Sequence, residues 1–233
     1  MLLASTLVAG CDYLGYLAYV FHPRPTKYVE SAFDVKTGHS LEGKSVAVLI
    51  YVEEEIKLDY GRIPQTLGRW TRAMMEYNEE SEAGIKDLRV IHPDAVVSYM
   101  VRNPNWDSID KRKIARDLKA DYLIFVPLTD YTTRIPGTID AYRGTISGEV
   151  EVFDAKDTAE IDDPLFVAKD PIEIVFPENP DKISYNRRSE QIIQVEMEKR
   201  FATAVAKLFY AREESALTDD ERYTEPREST PER

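Results

Sequence analysis

The sequence predicts an α/β fold: a single mixed β-sheet packed by helices, with an amphipathic helix last. Three observations carry this. The continuous apolar runs Ser45–Tyr51 and Tyr122–Val126 read as buried strands. Between them Leu67, Trp70, Met74 and Tyr77 recur at helical spacing. Tyr142–Asp154 alternates, as an antiparallel strand with one covered face should.

The elements follow in order. Residues 26–43 are mixed and polar and read as a tether. After the strand at Ser45, Glu53, Glu54, Glu55 and Gly61 read as a loop. Pro64 suits a first helical position, and the helix runs to about Glu82. Leu88–Ile91 is a second short strand. Pro93 then opens a helix with Val96, Val97 and Met100 on its apolar side, ended by Asn103-Pro104-Asn105. Asp107 or Ser108 is placed to cap a helix over Ile109–Leu118. The strand from Tyr122 leads into a loop, Thr132–Asp140, with Pro136-Gly137 as its turn signal. In the alternating strand Tyr142, Gly144, Ile146, Gly148, Val150 and Val152 share one face, and Arg143, Thr145, Ser147, Glu149 and Glu151 the other. A turn spans Ala155–Thr158. Leu165–Val167 and Ile172–Phe176 are assigned to sheet edges, because Pro164, Pro171 and Pro177 cannot donate to a ladder. The last helix runs from Ser189 to about Tyr210, with Ile193, Met197, Phe201, Val205 and Leu208 as its stripe. Glu190, Glu196, Glu198, Lys199, Arg200 and Lys207 are assigned to its outer side.

Composition bounds the function. The chain has 233 residues, 43% hydrophobic and 31% charged, which suits one globular domain plus tails. Its net charge of -12 argues against nucleic acid, which needs clustered Lys and Arg. Residues 212–233 hold eight acidic against four basic side chains and read as a solvated, disordered tail. One cysteine excludes an internal disulfide and a thiolate metal site.

That cysteine is Cys11. It follows Val8-Ala9-Gly10 at the end of the apolar run Leu2–Leu7. The arrangement resembles the lipobox of bacterial lipoproteins, in which a signal peptidase cuts before the cysteine and acyl chains are added there. Small residues at Ala9 and Gly10 admit the backbone to the protease cleft, and the thiol is the chain's best nucleophile. The expected divisions are a signal peptide at 1–10 (without a basic n-region, so an early part of the signal is expected to be missing), a lipidated tether at 11–43, the domain at 44–211 and the tail at 212–233. Met1–Phe21 also has the ~20-residue length of a spanning helix. Asp12 near its middle and Tyr13, Tyr16 and Tyr19 speak for the interface instead.

A family resemblance rests on Ile114–Val126, a helix ending in an Ala120-Asp121 step and then an apolar strand. Tyr142-Arg143-Gly144 follows, opening a strand that ends at Val152–Ala155. This pattern is similar to the envelope α/β domain of the curli-secretion lipoproteins (CsgG-like), the lipoprotein activators of penicillin-binding proteins (LpoB-like) and the TolB amino-terminal domain. It covers roughly Gly43–Ala211, and the whole chain looks like lipoproteins of planctomycete-type bacteria. The resemblance implies an envelope protein facing the periplasm that binds other proteins without catalysis or cofactor. From those families Cys11 alone carries over, as the lipid attachment site. The pore-forming members add a long amphipathic hairpin. The one candidate here, Tyr142–Phe176, has prolines and charges that suit lipid poorly. The implied partners are the membrane, through Cys11, and an envelope protein, and a homo-oligomer is compatible with both.

No catalytic signature stands out. His22, His39 and His92 lack metal-ligand spacing, and His92, before Pro93, reads as structural. A carboxylate hydrolase needs two converging acids with one raised pKa, and no pair names itself. A small-ligand site needs an apolar pocket that periodicity does not reveal. Trp70 reads as core. Trp106 reads as a plug of the domain, with a partner surface as the alternative. Tyr99, Tyr131, Tyr142, Tyr185 and Tyr210 read as amphipathic core edges or interface residues.

Overall fold

Strand β4 (Tyr122–Arg134) organises the sheet. Along one edge it runs parallel to β2 (Ser45–Val52), in register from Val46 opposite Tyr122 to Val52 opposite Leu128. Its other edge takes two antiparallel partners in succession. Residues 122–125 pair with β6 (Glu151–Asp154), and residues 128–134 pair with β5 (Tyr142–Gly148). Beyond these lie β3 (Arg89–Val90) beside β2, β8 (Ile172–Phe176) beside β5 and β7 (Phe166–Val167) beside β6. The sheet is therefore mixed, and the proline-flanked strands occupy edges. The computed structural model describes residues 26–79, 85–158, 163–183, 186 and 188–215.

The chain divides into two compact units. Glu30–Arg212 is the α/β domain. In the other, Met1–Val29 with Glu213–Arg233, the described residues belong to a two-stranded sheet of β1 (Thr26–Val29) and β9 (Arg212–Ser215). The α-helices among the described residues are α1 (Ala32–Thr37), α2 (Glu54–Asp59), α3 (Ile63–Glu79), α4 (Pro93–Arg102), α5 (Lys111–Asp117) and α6 (Arg188–Ala206).

Side-chain alternation splits the core between two faces of the sheet. On the first, Val46, Val48 and Ile50 of β2, Ile124 and Val126 of β4 and Ile146 of β5 are buried under α3 and α6. Helix α6 delivers Ile193, Met197, Phe201 and Val205, as its spacing predicts. It approaches β5 closely. A Cβ on Gly144 would stand 2.7 Å from Met197 Sδ, and one on Gly148 would stand 3.2 Å from Phe201 Cζ, besides 2.9 Å from the Pro127 carbonyl oxygen of β4. On the second face, Ala47, Leu49, Leu123 and Phe153 pack under α4 and α5.

Several expectations change. The tether assigned to residues 26–43 holds β1 and α1. Ser31 caps α1 by accepting the Asp34 N–H at 3.1 Å, Gly38 ends it in the left-handed region, and Phe33 and Leu41 are buried. Phe33 and Leu41 thus hold residues 30–43 within the domain, and Phe33 meets the rings of Tyr122, Phe166 and Phe209. The tail's first residues, Arg212–Ser215, form β9, whose partner β1 is remote in sequence. The loop expected after Val52 contains α2. The cap of α5 is Asp110, which accepts the Arg112 N–H at 2.7 Å, in place of Asp107 or Ser108. Strand β4 extends to Arg134. The single strand 142–154 is two, because β4 shifts register between Leu128 and Asp130 and the Glu149 N–H turns to the Pro127 carbonyl at 3.1 Å. The alternation survives, since Tyr142, Gly144, Ile146, Gly148, Val150 and Val152 are all buried. Glu198, assigned to the outer side of α6, is 2% exposed and accepts from the Tyr131 hydroxyl at 2.7 Å and Gln194 at 3.1 Å.

Candidate functional site

Cys11, Val8, Ala9 and Gly10 lie outside the described residues, as do the run Met1–Phe21 and Tyr185. Within the domain, the chemistry gathers on the second face, beside the carboxyl end of β2. Leu49 is the register partner of Phe125, so Tyr51, two residues further on, stands diagonal to Phe125 on the same face. Their rings stack with centroids 6.2 Å apart and planes at 29°. Trp106, in a 3-10 turn between α4 and α5, meets Tyr51 edge-on at 5.7 Å. The Lys111 ammonium sits 5.4 Å over the Phe125 ring and donates to the carbonyls of Asp107 and Ile109 at 3.0 and 3.4 Å.

The result is a crevice with two pits. One, about 220 Å³, is lined by Tyr51, Trp106, Asp107, Lys111 and Phe125. The other, about 180 Å³, includes Tyr51, Trp106, Met100, Pro104, Pro64 and Glu54. Tyr51, Trp106 and Asp107 belong to both. Open α/β sheets place ligands outside the carboxyl ends of their parallel strands, and this crevice lies there. Trp106 is half-buried: it closes the second core and faces solvent at once.

Two other clusters are structural. The Arg112 guanidinium, its side chain 3% exposed, pairs with Asp110 at 3.1 Å and Asp157 at 3.6 Å. Nearby, Lys156 approaches Asp121 at 3.7 Å and Arg116 donates to the Ala155 carbonyl at 2.9 Å. This charge cluster lines a groove in which opposite charges face one another. Burial raises the Asp34 carboxyl against the Ser31 hydroxyl that lowers it, in a pocket shared with Ser40, Glu42 and Lys86. Asp34 serves the first turn of α1.

The Ala120-Asp121 step has a mechanical role. Asp121 Oδ2 accepts both the backbone N–H and the hydroxyl of Ser45, at 2.9 and 2.8 Å, and its own N–H donates to the Ser45 carbonyl at 2.7 Å. These bonds clasp the starts of β2 and β4. The Ser45 N–H and hydroxyl hold the Asp121 carboxyl below the usual carboxylate range. His92 caps α4 through its ring nitrogen, which accepts the Asp94 N–H at 3.2 Å. Tyr99, Tyr131, Tyr142 and Tyr210 are buried, and burial with the Asp117 bond pushes the Tyr99 hydroxyl up to about 12. Trp70 is half-buried against the first core. Among the described residues no three His, Cys, Asp or Glu side chains are grouped to hold a metal, and no helix is long and apolar enough to cross a membrane.

Tyr51 and Phe125 escaped sequence reading as site residues because each sits inside or beside an apolar run that looks like core. Trp106 was the available signal, a large aromatic in a polar loop.

Fold and site together define a mixed-sheet α/β domain with an aromatic crevice on its less covered face. No family model matches the chain, and no curated protein matches it. Among solved structures, it is similar to the PelC dodecamer of Paraburkholderia phytofirmans at 10% identity and a TM-score of 0.39, over 80% of this chain and 98% of that one. Lipoprotein GNA1162 from Neisseria meningitidis is 13% identical with a TM-score of 0.37, over 68% of this chain and 98% of that one. The hypothetical protein CT253 from Chlamydia trachomatis is 16% identical with a TM-score of 0.37, over 71% and 96%. Bacterial lipoproteins are thus among its structural neighbours.

Proposed function

We propose that this is a lipid-anchored protein of the cell envelope, facing the periplasm. It acts by binding another envelope protein, as an assembly or accessory factor, without catalysis. The observation that carries this reading is Val8-Ala9-Gly10-Cys11 behind an apolar run. A diacylglyceryl thioether and an amino-terminal acyl chain on Cys11 supply the two or more chains that stable anchoring needs. The order of elements around the Ala120-Asp121 step supports the likeness to curli-secretion and penicillin-binding-protein-activator domains. The half-open aromatic crevice supplies a surface for recognition, since aromatic residues are enriched where proteins meet.

The test is intact mass of the protein from a membrane fraction of its native host. A chain beginning at Cys11 with acyl mass added is the expected result. Unchanged membrane association and processing in Cys11→Ala would overturn the anchor. A small-ligand reading draws on the same crevice and gains ground if the pits take up a metabolite with no partner protein present.

A further inference from the structure

The pits share one wall, made by Trp106 and Tyr51, with Asp107 at its rim. Each is of a size to take one proline ring or one branched aliphatic side chain. Neither the Tyr51 hydroxyl nor the Trp106 indole N–H has a hydrogen-bond partner among the described residues, although both rings are half-buried. The crevice therefore offers donors over an aromatic floor. An occupant that matches it is rich in acceptors, apolar on its flanks and already extended. A polyproline II segment has these properties, because its backbone carbonyls are solvated and its prolines carry no N–H.

The rim adds a charge preference. Lys111 is engaged by two backbone carbonyls and the Phe125 ring, and Lys57 by Glu54 at 3.1 Å. Asp107 is exposed and bonds through Oδ1 to Ser108, its neighbour in sequence. We propose that the crevice binds an extended, proline-containing segment of a partner protein. Two proline or aliphatic side chains fill the pits on either side of Trp106, and a basic side chain lies beside Asp107. This deepens the binding role proposed above and rests on it, but not on the lipid anchor.

The test uses the full chain in detergent against a synthetic peptide array. Pro-x-x-Pro is fixed, the flanks vary, and each peptide has a counterpart with alanine at both prolines. The expected result is a set of binders that lose about tenfold or more on replacing the prolines, and as much on Trp106→Ala in the protein. A second variant, Asp107→Asn, is expected to keep binding and lose the preference for Arg-flanked over Glu-flanked peptides. Circular dichroism checks that both variants fold. Three outcomes overturn the proposal: proline peptides that bind no better than their alanine counterparts, binding unchanged in folded Trp106→Ala, or a neutral β-linked oligosaccharide such as cellohexaose saturating the crevice in place of the peptides. The Cys11→Ser chain gives the same array result whatever the fate of the anchor. Failure here therefore leaves the mass measurement standing, and the reverse holds too.

Discussion

The two faces of the sheet are built to different standards. On the first, α3 and α6 cover β2, β4 and β5, and Phe201, Val205, Met197 and Ile146 show no exposed surface. On the second, short α4 and α5 cover the amino-terminal part of β2 and β4 and stop short of Tyr51 and Phe125, both half-buried. The difference lies in helix length and reach. A long helix close against glycines closes its face. Two short helices joined by a turn leave aromatic rings to finish theirs. Stability concentrates on the first face, and the binding role proposed for this domain on the second.

Mutation can break this contrast. The largest effect is expected for Phe201→Ala. A fully buried aromatic lost from a closed face costs about 3–5 kcal/mol, whereas Trp106→Ala, half-open, should cost less than half as much in the same urea titration. Equal losses would mean that Trp106 is a core plug after all. Gly148→Ala comes next. Its Cβ would press on the Pro127 carbonyl at 2.9 Å and Phe201 at 3.2 Å, and overpacking of this kind costs about 1–3 kcal/mol. Gly144→Ala would press on Met197 Sδ at 2.7 Å and the Ile193 Cγ2 methyl at 2.8 Å. The thioether can give way, but a β-branched side chain in a helix cannot turn about χ1, so a similar loss of about 1–3 kcal/mol is expected.

Tyr131→Phe removes the hydroxyl that donates to the buried Glu198 carboxylate, and a loss of about 1–3 kcal/mol is expected. Glu198→Gln in the same background should recover part of it, by removing the charge. Thermal melts of the two single variants and the double variant form the cycle that reads this.

The clasp at Asp121 sets a pH dependence. Its folded pKa lies below the unfolded value of 3.8, so the unfolded state binds protons more readily. The stabilisation is present above pH 3.8 and is lost as pH falls through the folded pKa. Asp121→Asn should flatten that acid limb of the melting curve. The change is modest, because the side chain is 33% exposed and solvent screens it. The smallest effect is a gain. Lys119 holds φ at 57° where α5 ends, so Lys119→Gly should stabilise by about 0.5–1 kcal/mol.

How far the sequence reveals all this follows from range. β2, a continuous apolar run, and α3, α4 and α6, with helical periodicity, were legible because each carries its own pattern. The split of 142–154 and the burial of Glu198 were hidden, since both depend on partners across the sheet: the register shift in β4, and Tyr131. Phe33 gave no pattern either, being one of several scattered apolar residues in a mixed stretch, and its contacts lie at Tyr122, Phe166 and Phe209. The crevice was half legible. Trp106 announced itself by its setting, while Tyr51 and Phe125 looked like core until the register placed them together.

Strand β4 has a consequence for how the chain comes together. Its parallel partner β2 starts 76 residues upstream, where Asp121 bonds Ser45, whereas β5 is joined to it by a short hairpin. The local hairpin closes at little entropic cost, and the distant parallel pairing is slow. A growing chain therefore carries β2 unpaired on its β4 side, through α2, α3, α4 and α5, until Tyr122 is made. Over that interval its apolar edge is the segment most in need of a chaperone, above all if the chain crosses a membrane before it folds.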